Sequence, residues 1–208
     1  FQKTNTENFL REMIGNQLRK AKSPKFIPDY LKIIQEPTYG AVIGHFTDLL
    51  ASLKVEEAIP IFIKMLDEEK LRTHAICALG DYKREELRPY VDRFENDKNS
   101  YWRKYARAAL KKLEKQLEKE AEFRAIKAKF FGLIFSDGRI SVRVLESVQE
   151  IVAEGQAMHH CVGGYSTKED SLILSATIDG KRIETVEVSI SKLKVIQCRG
   201  LCNKNSEH

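Results

Sequence analysis

Arg182-Ile183-Glu184-Thr185-Val186-Glu187-Val188-Ser189-Ile190 alternates residue by residue. A period of two marks a β-strand with two unlike faces. Val186, Val188 and Ile190 fall on one face, and Ile183, Thr185 and Glu187 on the other. An Asp179-Gly180 pair lies just upstream, and an apolar run at residues 172–178 lies before that. This is the pattern of a hairpin with a two-residue turn. Downstream, a tight connection near Ser191 and Lys192 leads into residues 194–199, where Val195, Gln197 and Arg199 are expected to share a face. If the chain reverses there, Glu187 meets Gln197, and Thr185, Glu187, Gln197 and Arg199 line one patch. Antiparallel sheets commonly leave one face to water. On strand pattern alone, a solvated face is the simpler expectation for these four residues.

Working outward from the strand, residues 129–135 read as strand-like, Ser136-Asp137-Gly138 as a hairpin turn, and residues 139–144 as a second alternating strand. Ser147 followed by Glu150 is a capping-box pattern that opens a short helix, and Gly155 suits its end. Residues 126–208 are therefore expected to form an α+β domain with an antiparallel meander.

The earlier residues change period. Phe9, Leu10, Met13, Ile14 and Leu18 recur at helical spacing, and Ser23-Pro24 closes that segment. A shorter helix follows at residues 26–34. Arg72, Ala75, Ala78 and Leu79 then reappear at a constant offset as Arg103, Ala106, Ala109 and Leu110, with Pro60 and Pro89 in matching places between them. Small residues let helices approach closely, and bulky neighbours fill the grooves. Residues 41–113 resemble HEAT repeats on these motifs, with a generic helical bundle as the other reading. Residues 101–125 contain no Pro or Gly and are dense in Glu and Lys, as in a solvated bridging helix or a charged binding helix. The expected fold class is thus α+β overall: an all-α HEAT-like helical array at residues 1–125, then the α+β domain at 126–208.

Bulk properties exclude little. The chain has 208 residues and a formal charge of +5 from 35 basic and 30 acidic side chains, a mixed surface rather than a basic one. Residues 1–125 carry 24 basic and 20 acidic side chains, so a phosphate partner would be drawn mainly to the helical part. No signal peptide or membrane-length apolar run is present, and Cys77, Cys161, Cys198 and Cys202 are scattered. These features suit reduced thiols in a cytoplasmic protein with no membrane partner. A start at Phe1 rather than Met points to a missing upstream segment, and the stop soon after Asn203 points to a truncated C-terminus.

Met158-His159-His160-Cys161-Val162-Gly163-Gly164-Tyr165 carries the most chemistry. Its groups suit acid–base work, a thiolate or metal ligation, or simply a packed cysteine beside one structural histidine. The paired glycines permit backbone geometry closed to other residues. Zinc would require Cys198 and Cys202 to join His159, His160 and Cys161. That spacing matches no paired CxxC pattern, and three consecutive ligands cannot converge on one ion from regular backbone. No metal is therefore assigned, and the cofactor stays an open question.

Taken with Thr185-Val186-Glu187 and with Gln197-Cys198-Arg199-Gly200 followed by Asn203, this segment resembles the PcfJ-like domain over about residues 130–205. The resemblance implies a protein of bacterial conjugative elements or phages. It carries over onto His160, Cys161, Gly163, Tyr165, Thr185, Glu187, Gln197, Arg199, Gly200 and Asn203. Two functions stay open. In the first, His160, Cys161, Tyr165, Glu187, Gln197 and Arg199 form a catalytic site for nucleic acid or nucleotide. His159, Gly163, Thr185, Gly200 and Asn203 then serve binding. Glu187 or His160 would be the acid–base group, Arg199 an anion clamp, and Gln197 and Asn203 would position the substrate. In the second, the chain is a non-enzymatic adaptor whose helical array binds protein or nucleic acid.

Overall fold

The structure, a computed structural model, describes residues 2–40 and 42–205. Helices occupy the N-terminal two-thirds, and a five-stranded antiparallel sheet occupies the C-terminal part. The chain divides into two compact units, Phe1–Gln116 and Leu117–His208.

In the first unit α1 (Gln2–Ala21) and α2 (Ile27–Ile33) precede α3 (Val42–Ser52), α4 (Ile59–Met65), α5 (Arg72–Tyr82), α6 (Arg88–Asp92) and the start of α7 (Ser100–Lys127). Pro28, Pro60 and Pro89 sit in the first turns of α2, α4 and α6, where a missing N–H leaves no bond unmade. The repeated residues do repeated work. Arg72 donates to the Leu66 carbonyl, and Arg103 donates to the Asp97 carbonyl, each six residues back. Ala75, Ala78 and Leu79 are buried, as are Ala106, Ala109 and Leu110. α5 and α7 approach so closely that a methyl group added at Gly80 would lie 2.4 Å from Ala109 Cβ. Leu49, Leu50, Phe62, Leu66, Ile76 and Leu79 fill the core. α1 forms as its spacing predicts, yet Phe9, Leu10, Met13 and Ile14 on its stripe stay exposed.

In the second unit β1 (Ile134–Ser136), β2 (Ile140–Val144), β3 (Ser171–Ile178), β4 (Lys181–Ser189) and β5 (Lys194–Arg199) run in sequence order as a meander. α8 (Val148–Met158) lies between β2 and β3 in sequence. Residues 129–133 are not strand. Ala128–Phe130 form a single 3-10 turn, and Gly132 has φ +80°, so the first strand is shorter than the apolar run suggests. Asp179 and Gly180 both have positive φ, as a two-residue hairpin turn requires. Ser147 caps α8 by accepting from the Glu150 N–H, while the Glu120 carboxylate accepts from the N–H groups of Val148 and Gln149. Two small apolar clusters lie on opposite faces of the sheet. Leu145, Val148, Ile151, Val162 and Ile173 form one, with Phe123 from the end of α7, and Val144, Leu172 and Leu174 form the other.

Candidate functional site

Register decides which side chains meet. Ser171, Ile173 and Ser175 of β3 stand opposite Ser189, Glu187 and Thr185 of β4, and Glu187 and Thr185 stand opposite Gln197 and Arg199 of β5. Opposed residues share a face, so one face of the sheet carries a continuous polar block. Two irregularities break the simple alternation. Between Ala176 and Thr177 the partners pass from Glu184 to Arg182, which leaves Ile183 unpaired and brings Arg182 onto the Thr185 face. Between Glu187 and Val188 the partners pass from Gln197 to Val195, which leaves Ile196 unpaired. Val195 therefore stands opposite Val188 on the apolar face and does not share a face with Gln197 and Arg199.

This polar face is not solvated. Thr185 and Glu187 are 5% and 6% exposed, and Ser171, Ser175 and Ser189 are buried with them. α8 and the 3-10 segment Val162–Thr167 cover the face, and α8 places the fully buried carboxylate of Glu154 over it. Glu154 accepts from Ser175 Oγ at 3.0 Å, Thr185 Oγ1 at 2.8 Å and Arg182 Nε at 2.8 Å. A buried charge of this kind is tolerated only with such bonds and a counter-ion. The sequence reading missed Glu154 and Arg182. A signal existed for Glu154, a carboxylate at position i+3 from Ile151 on the inward face of an otherwise apolar helix.

His160 reaches the same network because of how α8 ends. His159 adopts the left-handed conformation, φ 53° and ψ 47°, and the N–H groups of His159 and His160 both bond to the Gly155 carbonyl. The chain turns back so closely that a Cβ at Gly155 would lie 2.8 Å from the His160 carbonyl oxygen. Gly155 thus lies inside the helix, not at its end, and its small size admits the returning chain. Gly163 and Gly164 have no such constraint: a Cβ at Gly163 would make an ordinary contact with Val152, and one at Gly164 would meet nothing. The turn brings His160 Nε2 to 3.0 Å from Thr185 Oγ1.

Glu187 anchors a second network. Its Oε1 accepts from Ser171 Oγ at 2.7 Å and its Oε2 from Gln197 Nε2 at 2.6 Å. Gln197 Nε2 also donates to Tyr165 Oη at 3.2 Å. Both amide hydrogens are then committed, so the Gln197 carbonyl and the Tyr165 hydroxyl hydrogen stay available to a ligand. Lys168 Nζ lies 3.8 Å from Glu187 Oε1 and 3.5 Å from the Tyr165 ring centroid, so the carboxylate has a nearby cation. The loop that carries Lys168 is pinned by Lys127, fully buried, whose ammonium donates to the carbonyls of Lys168, Glu169 and Ser171 at 2.8, 2.7 and 2.6 Å. Burial lowers the Lys127 pKa, and the charges of Asp170 and Glu169 oppose that.

Between the networks lies a cavity of about 130 Å³ lined by His160, Cys161, Tyr165, Thr185, Glu187, Gln197, Arg199 and Asn203, with Val162 and Ile173 as its apolar wall. Arg199 donates to Asn205 Oδ1 at 2.6 Å, a neutral partner, and among the described residues no carboxylate pairs with it. Among the described residues the cavity therefore offers one cation with no carboxylate partner. His159 is exposed and lies outside the lining, as do Gly163 and Gly200. The structure thus brings all six residues read as catalytic into one cavity, together with Thr185 and Asn203.

Cys198 is not in this group. It stands opposite Val186 on the other face of the sheet and donates to the Glu184 carboxylate. Burial, then the bond to Glu184, pushes its pKa up to about 12, so it is a neutral thiol at ordinary pH. Cys202 is exposed, with φ 56°. Among the described residues no group of three or more His, Cys, Asp or Glu side chains converges as a metal site.

A family described as PcfJ-like protein matches residues 85–208, which takes in the last helices of the first unit as well as the whole of the second. That is wider than the 130–205 span on which the motifs lie. No curated protein and no solved structure matches the chain.

Proposed function

The chain belongs to the PcfJ-like protein family, and we propose that its C-terminal unit is an acid–base catalytic site for a phosphate-bearing substrate, nucleic acid or nucleotide. The observation that carries this reading is the convergence on one small cavity of a histidine, an arginine that no described carboxylate pairs, and free hydrogen-bonding groups on Tyr165 and Gln197. Glu187 has both oxygens committed to Ser171 and Gln197, so its part is to hold Gln197 and Tyr165 in place. That leaves His160 as the group to move a proton. Arg199 holds the anion, Cys161 and Asn203 border the reacting atoms, and Thr185 orients the histidine. The mobile-element setting implied by the motif resemblance makes nucleic acid the first substrate class to test.

The experiment is incubation of the purified chain with a nucleotide panel and with short single-stranded RNA and DNA, products being read by mass spectrometry. Turnover by the wild type that falls about 100-fold or more in His160→Ala and Arg199→Ala supports the site. No product and no binding with any of these substrates, or product formed equally by the variants, removes it.

A second reading has its own observation. Arg72 and Arg103 make equivalent bonds at equivalent places, and Gly80 and Ala109 bring α5 and α7 together, as stacked repeats do. This supports a HEAT-like array at residues 1–125 that serves as an adaptor surface, with residues 126–208 as a separate domain. If that surface binds nucleic acid, affinity for a duplex falls steeply with salt. No binding at low salt would restrict the array to protein partners.

A further inference from the structure

Glu154 lies outside the cavity lining, yet the position of hydrogens in the site depends on it. Its carboxylate accepts from Ser175, Thr185 and Arg182, and the Arg182 guanidinium bonds it at 2.8 Å. A carboxylate with three donors, one of them cationic, is the ionised form and has no hydrogen to give. Thr185 has a single hydroxyl hydrogen, and that hydrogen must therefore lie on the 2.8 Å line to Glu154 Oε1. What remains on Thr185 Oγ1 is lone-pair density, so the 3.0 Å contact to His160 Nε2 requires the hydrogen to sit on Nε2. The reverse polarity would need a protonated Glu154 against Arg182, which the ion pair opposes.

We infer that Glu154 is a positioning residue that, through Thr185, locks His160 in the tautomer with hydrogen on Nε2 and leaves Nδ1 as its bare, proton-accepting nitrogen. Among the described residues nothing is bonded to Nδ1. The base in the proposed reaction is then Nδ1, and a substrate must present its O–H or N–H to that atom while its anion meets Arg199. Two devices of the fold serve the lock. The unpaired Ile183 brings Arg182 round to Glu154, and Gly155 lets His160 fold back over β4. The use of Nδ1 as a base rests on the catalytic reading above; the tautomer does not.

Long-range proton–nitrogen correlation spectra of the full chain, with histidine nitrogen labelled, read the tautomer directly. The pH should be above the ordinary histidine range, and His160 is assigned with a His160→Gln variant. In the wild type, Nε2 should show the protonated signature and Nδ1 the bare one. Thr185→Val should give a mixture of the two tautomers, and Thr185→Ser should restore the wild-type pattern. Glu154→Gln, whose amide can donate to Thr185, should shift the population toward hydrogen on Nδ1. If Glu154→Gln fails to fold, the Thr185 pair decides. A wild-type ring with hydrogen on Nδ1, a ring that keeps both hydrogens, or a tautomer unmoved by Thr185→Val overturns the lock. Turnover is not read here, so an inactive chain with the locked tautomer defeats only the catalytic reading.

Discussion

The two units bury opposite kinds of side chain. In the helical unit the buried polar groups described are the hydroxyls of Thr47, Tyr30 and Tyr82, and Thr47 simply bonds back to the Ile43 carbonyl one turn earlier. The C-terminal unit buries Lys127, Glu154, Glu184 and Glu187 along with Thr185 and four serines. An apolar core draws its stability from area removed from water and from close packing. A polar core draws little from burial and stands only while every donor and acceptor is matched. The first is a means of holding shape. The second holds particular atoms at particular points, which is what a binding or catalytic site needs and what a scaffold does not. The lesson is that the unit with the less favourable core is the one that holds the polar cavity.

Substitution can break that contrast. Phe62 is fully buried in the apolar core, its ring 6.4 Å from that of Tyr82, and Phe62→Ala should cost about 3–5 kcal/mol. Trp102 is the only tryptophan and lies in the helical unit, so denaturant unfolding followed by its fluorescence reads the loss. A loss near zero would mean that the helical core is not close-packed. Lys127→Met tests the other unit. The methionine fills similar space but removes three charge-assisted hydrogen bonds to carbonyls, for a loss of roughly 3 kcal/mol. Hydrogen exchange should rise in β3 and around residues 168–171, while Trp102 fluorescence stays unchanged. Unaltered protection there would show that the ammonium does not anchor the loop.

Acid gives the smallest effect and still separates the units. Backbone N–H groups of Ile140 and Arg139 hold Asp137 below its usual value, and the Ser191 N–H and Ser189 hydroxyl hold Asp170 below its own. Burial pushes Glu150 up, but the Glu146 N–H and Arg143 outweigh it and leave Glu150 low as well. A carboxyl with a depressed folded pKa contributes stability above its unfolded value near 4, and that contribution is lost as pH falls toward the folded value. All three lie in the C-terminal unit and face water in large part, so the change is screened and modest. Circular dichroism of the sheet should weaken below about pH 4 before Trp102 fluorescence responds; the opposite order would contradict these assignments.

Much of the architecture was legible in the sequence. The repeated Arg, Ala, Ala and Leu at constant offset marked helices, and the alanines and leucines of both copies are buried. Asp179-Gly180 fixed a hairpin, and with it the opposition of Thr185 and Glu187 to β3. The three motifs also held residues that do share one cavity. What could not be read was which face of the sheet would be covered. A run of polar side chains on a strand looks the same whether water or a helix lies over it, and here α8 lies over it.

Thr185, Glu187, Gln197 and Arg199, with their order along the strands, were determined by the sequence alone, since alternation and turn chemistry are local properties. The tertiary structure decided three further things: the unpaired Ile183 that turns Arg182 inward, the unpaired Ile196 that sends Val195 to the other face, and the seat of Glu154 above Thr185. The first two are shifts of register inside hairpins, and the third joins residues 31 apart in the chain. A shift of one residue in register reverses a side chain's face, and no local pattern records where such a shift will fall.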